Sequence, residues 1–90
     1  MVTARVVVCN TLGLHARPAM SFVETASKFA SAITVRRADS DEKVDGKSIM
    51  QVLLLAGTNG TELEICVDGA DEAEAVAALV ALVNRRFDEE

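Results

Sequence analysis

The stretch Gly-Leu-His-Ala-Arg-Pro-Ala at residues 13–19 determines where the first helix of this chain begins. It contains the only histidine, His15, and the only proline, Pro18, of the 90-residue sequence. Proline is tolerated in the first turn of a helix. In a later turn it disrupts the helix, because it lacks the N–H donor and its ring clashes with the preceding turn. Apolar residues then recur at helical spacing. We therefore predict a helix from about Arg17 to Phe29, with His15 at or just before its start.

This predicted helix start has the composition of an anion site. Backbone N–H groups at a helix N-terminus lack intrahelical acceptors, and the helix dipole is positive there. His15 adds an imidazole and Arg17 a guanidinium, while Gly13 allows an unusual turn just before them. A His-x-Arg pair alone also fits an ordinary protein surface, so the proline and the glycine carry the argument. The combination predicts a site for a phosphoryl group.

The rest of the chain alternates strand and helix patterns in the order βαββαβα. Strands with one polar face indicate an antiparallel sheet with helices packed on its other face. The expected fold class is therefore α+β, in two layers. Strands are predicted over residues 2–9, 33–36, 43–45 and 63–67. The second helix is predicted from Ser48 to about Ala56, with Gly57 ending it; the third begins after Asp71 and buries Val76, Leu79, Val80, Val83 and Phe87.

Local sequence signals predict how the later helices begin and end. Ser48 with Gln51, and Asp71 with Glu74, have the spacing of a capping box, in which two side chains satisfy each other's backbone donors. Basic residues in a last turn offset the negative end of the helix dipole. Two such residues are expected in the last turn of the third helix, namely Arg85 and Arg86.

Composition indicates a single domain over residues 1–90 with one aliphatic core, since the chain has three Phe and no Trp or Tyr. A net charge of −5 without a basic cluster argues against nucleic-acid binding. Cys9 and Cys66 do not form a disulfide framework and are expected to pack beside the sheet. The sequence shows no signal peptide and no apolar run of membrane-spanning length. A cytoplasmic monomer that does not insert into membranes, with no metal or organic cofactor, is expected.

Two motifs resemble the histidine-containing phosphocarrier (HPr) family: residues 10–19 and residues 44–50. The likeness covers nearly the whole chain. It implies an open-faced β-sandwich with strand order 1-4-2-3. It also implies that His15 receives a phosphoryl group at Nδ1 from Enzyme I, which uses phosphoenolpyruvate, and passes it to sugar-specific IIA domains. By the same resemblance Arg17 holds the phosphate, and Gly13, Ala16 and Pro18 set the geometry of the helix start. Such a protein is a stoichiometric carrier and not a turnover enzyme.

Ser48 has two interpretations. Residues 46–48 read Gly-Lys-Ser, but a P-loop needs a glycine five residues earlier, where the chain has Asp41. A helix cap is sufficient to explain Ser48. The resemblance adds a regulatory phosphosite, which would make an HPr kinase/phosphorylase a further partner.

A docking surface for partners is expected around the two sites. The second helix is predicted to bury Val52, Leu53 and Ala56 and to leave Met50 and Leu54 outside that face. Exposed apolar residues beside an active site favour partner docking, and methionine adapts to several partner shapes. An ordinary exposed methionine is the alternative. The predicted docking residues are Met20, Lys47, Ile49 and Met50.

The branch of the family stays open at this stage. Residues 17–20 and 81–89 look like the nitrogen-related branch, whereas residues 46–50 look like branches with serine regulation. The chain is therefore expected to act either in sugar uptake or as a regulatory module that binds partners according to its phosphorylation state.

Overall fold

The computed structural model describes residues 1–9, 13–55 and 59–88. Within these residues the elements follow the predicted order βαββαβα. The strands are β1 (Val2–Val7), β2 (Ala32–Arg37), β3 (Val44–Asp45) and β4 (Glu62–Asp68). The helices are α1 (Ala16–Ser27), α2 (Ile49–Leu54) and α3 (Glu72–Asn84), and a short 3₁₀ turn follows at Arg86–Asp88. The predicted end of the second helix, at Ala56 and Gly57, lies outside the described residues.

The four strands form one antiparallel sheet in the order β1-β4-β2-β3. This confirms the fold class and the strand order that the resemblance implied. Alternation along β4 sets the two faces, because Leu63, Ile65 and Val67 are buried while the residues between them are not. In the register of the sheet Val6 lies opposite Leu63, and Val35 lies opposite Ile65. One face of the sheet is therefore apolar, and the helices cover it.

The core between sheet and helices is mostly aliphatic. Phe22 of α1 and Leu79 and Val83 of α3 are buried, and α3 packs on β1 and β4. The uncovered face is polar: Glu64 at its centre accepts hydrogen bonds from Arg36 Nε at 2.9 Å and pairs with Arg5 Nε at 3.5 Å. The hydrogen bond from Arg36 lowers the pKa of Glu64. Among the described residues no helix is long and apolar enough to cross a membrane.

The end of α3 differs from the prediction. The helix ends at Asn84, so Arg85 is its cap and Arg86 lies outside it. Arg86 and Phe87 both have left-handed backbone conformations, with φ of 58° and 56°. Such conformations are strained for residues other than glycine. The burial of the Phe87 ring in the core accompanies this reversal of the chain.

Asp71 does not form the predicted capping box. It is the N-cap residue of α3, but its side chain makes no cap hydrogen bond. Its carboxylate instead accepts hydrogen bonds from the backbone of Ala30 at 2.9 Å and of Ser31 at 3.0 Å, and from the Ser31 hydroxyl. Asp71 therefore joins the start of α3 to the loop between α1 and β2.

We expect the hydrogen bonds that Asp71 accepts to make the stability of the fold depend on pH. The hydrogen bond from the Ser31 hydroxyl, followed by that from the Ala30 backbone, lowers the pKa of the Asp71 carboxyl. Its stabilisation is present above the pKa of the unfolded chain and is lost as pH falls through the lower folded pKa. Asp71→Asn should lower the melting temperature at neutral pH, and the melting temperature of the variant should fall less than that of the parent protein as the pH is lowered. Thermal melts between neutral and acidic pH test this; Asp41→Asn, at an exposed aspartate, is the control, and equal melting curves for the two variants would contradict it.

Candidate functional site

The turn that precedes α1 is set by a left-handed glycine. Gly13 has φ +71°, which favours glycine because other residues place a Cβ against the backbone. The His15 backbone N–H donates to the Gly13 carbonyl at 3.1 Å, so the chain folds tightly over one residue. His15 is then the N-cap of α1, in extended conformation, and its carbonyl accepts the first helical hydrogen bond from Ala19 at 3.0 Å. The predicted helix start is therefore observed one residue earlier, at Ala16.

The N-terminal end of α1 presents positive charge. No side chain of the described residues caps it, and no acidic residue lies in its first turn. Pro18 is buried in this first turn, where its missing N–H is not needed. Arg17 lies beside it and is exposed. The dipole and the guanidinium thus act in the same direction, and the first turn of α1 contains no carboxylate that would repel an anion.

The imidazole of His15 is oriented by the fold. The residue is half-buried, and its Nε2 atom is shielded from solvent. The Nε2 atom is therefore not open to an incoming group in this conformation of the ring. A histidine ring nitrogen that carries a lone pair can act as a nucleophile.

Ser48 starts α2 at a loop held by close contacts. A side chain at Gly46 would place its Cβ 2.6 Å from Cγ2 of Ile33, so only glycine allows this approach. The Ser48 hydroxyl accepts from the Gln51 backbone at 3.4 Å, which confirms the predicted N-cap. The reciprocal half of the predicted capping box is absent, because Gln51 Oε1 accepts from the Asp45 backbone N–H at 2.8 Å instead.

The side chain of Lys47 makes a hydrogen bond within the protein. Its Nζ donates to the Phe29 carbonyl at 2.7 Å, just beyond the C-terminal end of α1. A cation is favoured there because the helix dipole is negative at that end. The ammonium group therefore ties the start of α2 to α1, and we leave Lys47 out of the docking surface proposed below.

The other three predicted docking residues lie on α1 and α2, which pack against each other. Met20 and Ile49 line one shallow depression of about 180 Å³, together with Val23 and Glu24. Met20 is 49% exposed and Met50, the next residue after Ile49, is 74% exposed. We call Met20, Ile49 and Met50 the apolar rim. It extends from one turn beyond His15 to the residues that follow Ser48.

Two features of this surface were not predicted. Leu53 was expected in the core but is exposed, so the exposed apolar residues continue along α2 through Leu53 and Leu54. Glu24 was not singled out, although its spacing of four residues from Met20 places both on one face of α1. Spacing could have identified Glu24. The exposure of Leu53 depends on the rotation of the six-residue helix α2 about its own axis.

A helix start with a histidine and an arginine, beside an apolar rim on an open-faced sandwich, is suited to bind a phosphoryl group. The family model "PTS HPr component phosphorylation site" matches residues 2–85. The chain therefore belongs to the HPr family of phosphocarrier proteins of the phosphotransferase system.

Individual relatives are similar to this chain over almost its full length. The phosphocarrier protein HPr of Neisseria meningitidis is 47% identical over 89 residues, covering 99% of this chain and 98% of the relative. The phosphocarrier protein NPr of Proteus mirabilis is 37% identical over 86 residues, covering 96% and 94%. The crystal structure of HPr-C-His from Thermoanaerobacter tengcongensis superposes with a TM-score of 0.93 at 43% identity, covering 100% and 99%.

The cap at Ser48 predicts a measurable loss of stability. Ser48→Ala removes the acceptor for the Gln51 N–H and should lower the free energy of unfolding by about 1 kcal/mol. Ser48→Gly should cost less, because glycine is itself tolerated at an N-cap. Urea unfolding of these variants is compared with Ser27→Ala, the same change at an exposed residue at the end of α1. Equal stability of Ser48→Ala and Ser27→Ala would show that the hydroxyl does not cap α2.

Proposed function

We propose that His15 accepts a phosphoryl group from Enzyme I and passes it to IIA domains. The observation that carries this proposal is the position of His15 at the positively polarised start of α1, with Nε2 shielded and Arg17 exposed beside it. Family membership supplies the donor and the acceptors as candidates. The protein acts as a stoichiometric carrier and needs no cofactor of its own.

The transfer is a substitution at phosphorus. The lone pair of Nδ1 attacks the phosphorus atom, and a P–N bond forms as the bond between phosphorus and the donor breaks. Arg17 and the N–H groups of the first turn bind the phosphoryl oxygens, because charge-assisted hydrogen bonds favour the added negative charge. The site is open, so this stabilisation stays modest. A carrier needs that balance, since the same phosphoryl group has to leave again.

The apolar rim is proposed to dock both donor and acceptor. Its residues lie beside the reacting histidine on α1 and on the adjoining helix α2. The depression between Met20 and Ile49 has room for one apolar side chain of a partner. Methionine side chains are flexible, so the same rim can fit partners of different shape.

Ser48 is proposed as a regulatory phosphosite. A phosphate at the N-cap of α2 adds roughly −1.5 to −2 charges at the positive end of that helix, which tolerates it. The cost falls on docking, because the new charge lies next to Ile49 and Met50 of the apolar rim. A charge there has to be desolvated when a partner binds. An HPr kinase/phosphorylase is the proposed modifying partner.

A role in nitrogen-related regulation is the second candidate. The 37% identity to a protein named NPr supports it, and the 47% identity to one named HPr supports the sugar branch. Both candidates use His15. Presenting the phosphorylated protein to a sugar-specific IIA domain and to a nitrogen-type IIA domain separates them, since preferred transfer to one domain assigns the branch.

His15 should gain one phosphoryl group from phosphoenolpyruvate in the presence of Enzyme I. The adduct should be labile in acid and stable in base, because it is a phosphoramidate. Intact mass spectrometry before and after acid treatment measures this, with circular dichroism to show that His15→Ala folds. An acid-labile phosphate on His15→Ala would refute the assignment.

Arg17→Ala should leave the fold intact, because the side chain is exposed. The rate of phosphorylation should fall roughly tenfold to a hundredfold, as expected for loss of a charge-assisted contact. Arg17→Lys should recover only part of the rate, since an ammonium group lacks the two-pronged geometry. Lys28→Ala removes an exposed cation at the opposite end of α1 and is the matched control. If Arg17→Ala is no slower than Lys28→Ala, Arg17 does not hold the phosphoryl group.

Ser48→Asp should slow phosphorylation of His15 at a nearly unchanged melting temperature. Aspartate caps a helix well and adds charge beside the rim. Ala70→Asp is the control, because residue 70 is exposed in the turn next to Asp71, at the far end of α1 from His15. A folded Ser48→Asp protein that is phosphorylated as fast as Ala70→Asp would leave Ser48 with only its capping role.

A further inference from the structure

The apolar rim carries two of the three methionines of the chain. Met20 forms part of the wall of the depression between α1 and α2, and Met50 stands in the first turn of α2. Both thioethers belong to residues that are exposed. Leucine would supply similar apolar area at these positions without a sulfur atom.

Exposed thioether sulfur reacts with peroxides. The product, methionine sulfoxide, is polar and carries a strong hydrogen-bond acceptor, and it disrupts methionine-rich interfaces. We propose that Met20 and Met50 are oxidation sites through which a peroxide-class oxidant switches off phosphoryl transfer at His15. This inference rests on the proposed docking of partners at the apolar rim.

The modification is a two-electron oxidation of each sulfur. A lone pair of the thioether attacks one oxygen of hydrogen peroxide and the O–O bond breaks. The departing hydroxide takes the proton of the hydroxyl now bound to sulfur and leaves as water. Sulfur is oxidised to the sulfoxide and peroxide is reduced. Each event consumes one thioether and one molecule of peroxide and adds one oxygen atom to the mass of the chain.

The depression is poorly suited to hold a sulfoxide when a partner covers it. Val23 and Ile49 offer only apolar side-chain surface there, and the polar group on the wall is the carboxylate of Glu24. A carboxylate accepts hydrogen bonds and cannot donate one to the sulfoxide oxygen. Leaving a polar group unpaired in an interface is costly. Oxidised Met20 should therefore obstruct docking in the depression.

The two methionines should differ in reactivity and in effect. Met50 is the more exposed, at 74% against 49% for Met20, so it should be oxidised first. Met20 lines the depression, so its oxidation should cause the larger loss of transfer. The time course of inactivation should then follow the slower appearance of the Met20 sulfoxide.

The experiment treats the full-length protein with hydrogen peroxide. Dithiothreitol then reverses sulfenic acids and disulfides at Cys9 and Cys66, both half-buried, without reducing sulfoxides. Peptide mass spectrometry locates the added oxygen, and Enzyme I with phosphoenolpyruvate measures the transfer rate. The comparison protein combines Met20→Leu and Met50→Leu with Val7→Met. Residue 7 is 47% exposed on the uncovered face of the sheet, so it supplies an oxidisable methionine away from the rim.

Each oxidised rate is divided by the untreated rate of the same protein, so any effect of the leucines themselves cancels. The transfer rate of the parent protein should fall at least about fivefold on oxidation, which corresponds to the cost of an unpaired polar group at an interface. Methionine sulfoxide reductases should restore its rate, and the comparison protein should keep its own. An unchanged rate after oxidation at residues 20 and 50, an equal loss in the comparison protein, or no oxidation at these residues would overturn the proposal. If the untreated protein accepts no phosphate, the proposed function fails, and this inference fails with it.

Discussion

The backbone geometry between Gly13 and Pro18 is the constraint on which the site depends. The left-handed backbone of Gly13 makes a tight turn that ends at His15. The carbonyl of His15 then accepts the first hydrogen bond of α1. Proline is acceptable only in the first turn, and it therefore holds that start in place. The result is an imidazole at the positively polarised end of α1, with one ring nitrogen shielded by the fold. The position of His15 at a positively polarised helix end follows from this local geometry.

The apolar side chains are divided between the core and one exposed surface. Sheet and helices bury one aliphatic layer, whereas the exposed apolar residues concentrate on α1 and α2 next to the proposed phosphorylation sites. Contacts with the rest of the chain hold this second group in place. Lys47 binds the carbonyl of Phe29, and Gly46 lies directly against Ile33. If partners dock at the apolar rim as proposed, they meet a preformed surface, and docking requires little reordering of this chain.

Sequence patterns predicted the elements better than their ends. Alternation along β4 and the position of Pro18 were sufficient to place that strand and α1, because these signals are local. The carboxylate of Asp71 was misassigned, since its real partners lie 40 and 41 residues earlier in the chain. The end of α3 was misplaced because the buried ring of Phe87 lies beyond a left-handed turn. The direction of the His15 ring has no sequence signal, since it depends on neighbours in space.

The central claim is that the fold directs phosphorylation to one nitrogen of His15. Nuclear magnetic resonance of the phosphorylated protein, with ¹⁵N in its single histidine, tests it through the scalar coupling between phosphorus and the ring nitrogens. The account predicts that phosphorus couples directly to Nδ1, because Nε2 is shielded. Direct coupling to Nε2, or phosphate bound with no coupling to either ring nitrogen, would contradict it.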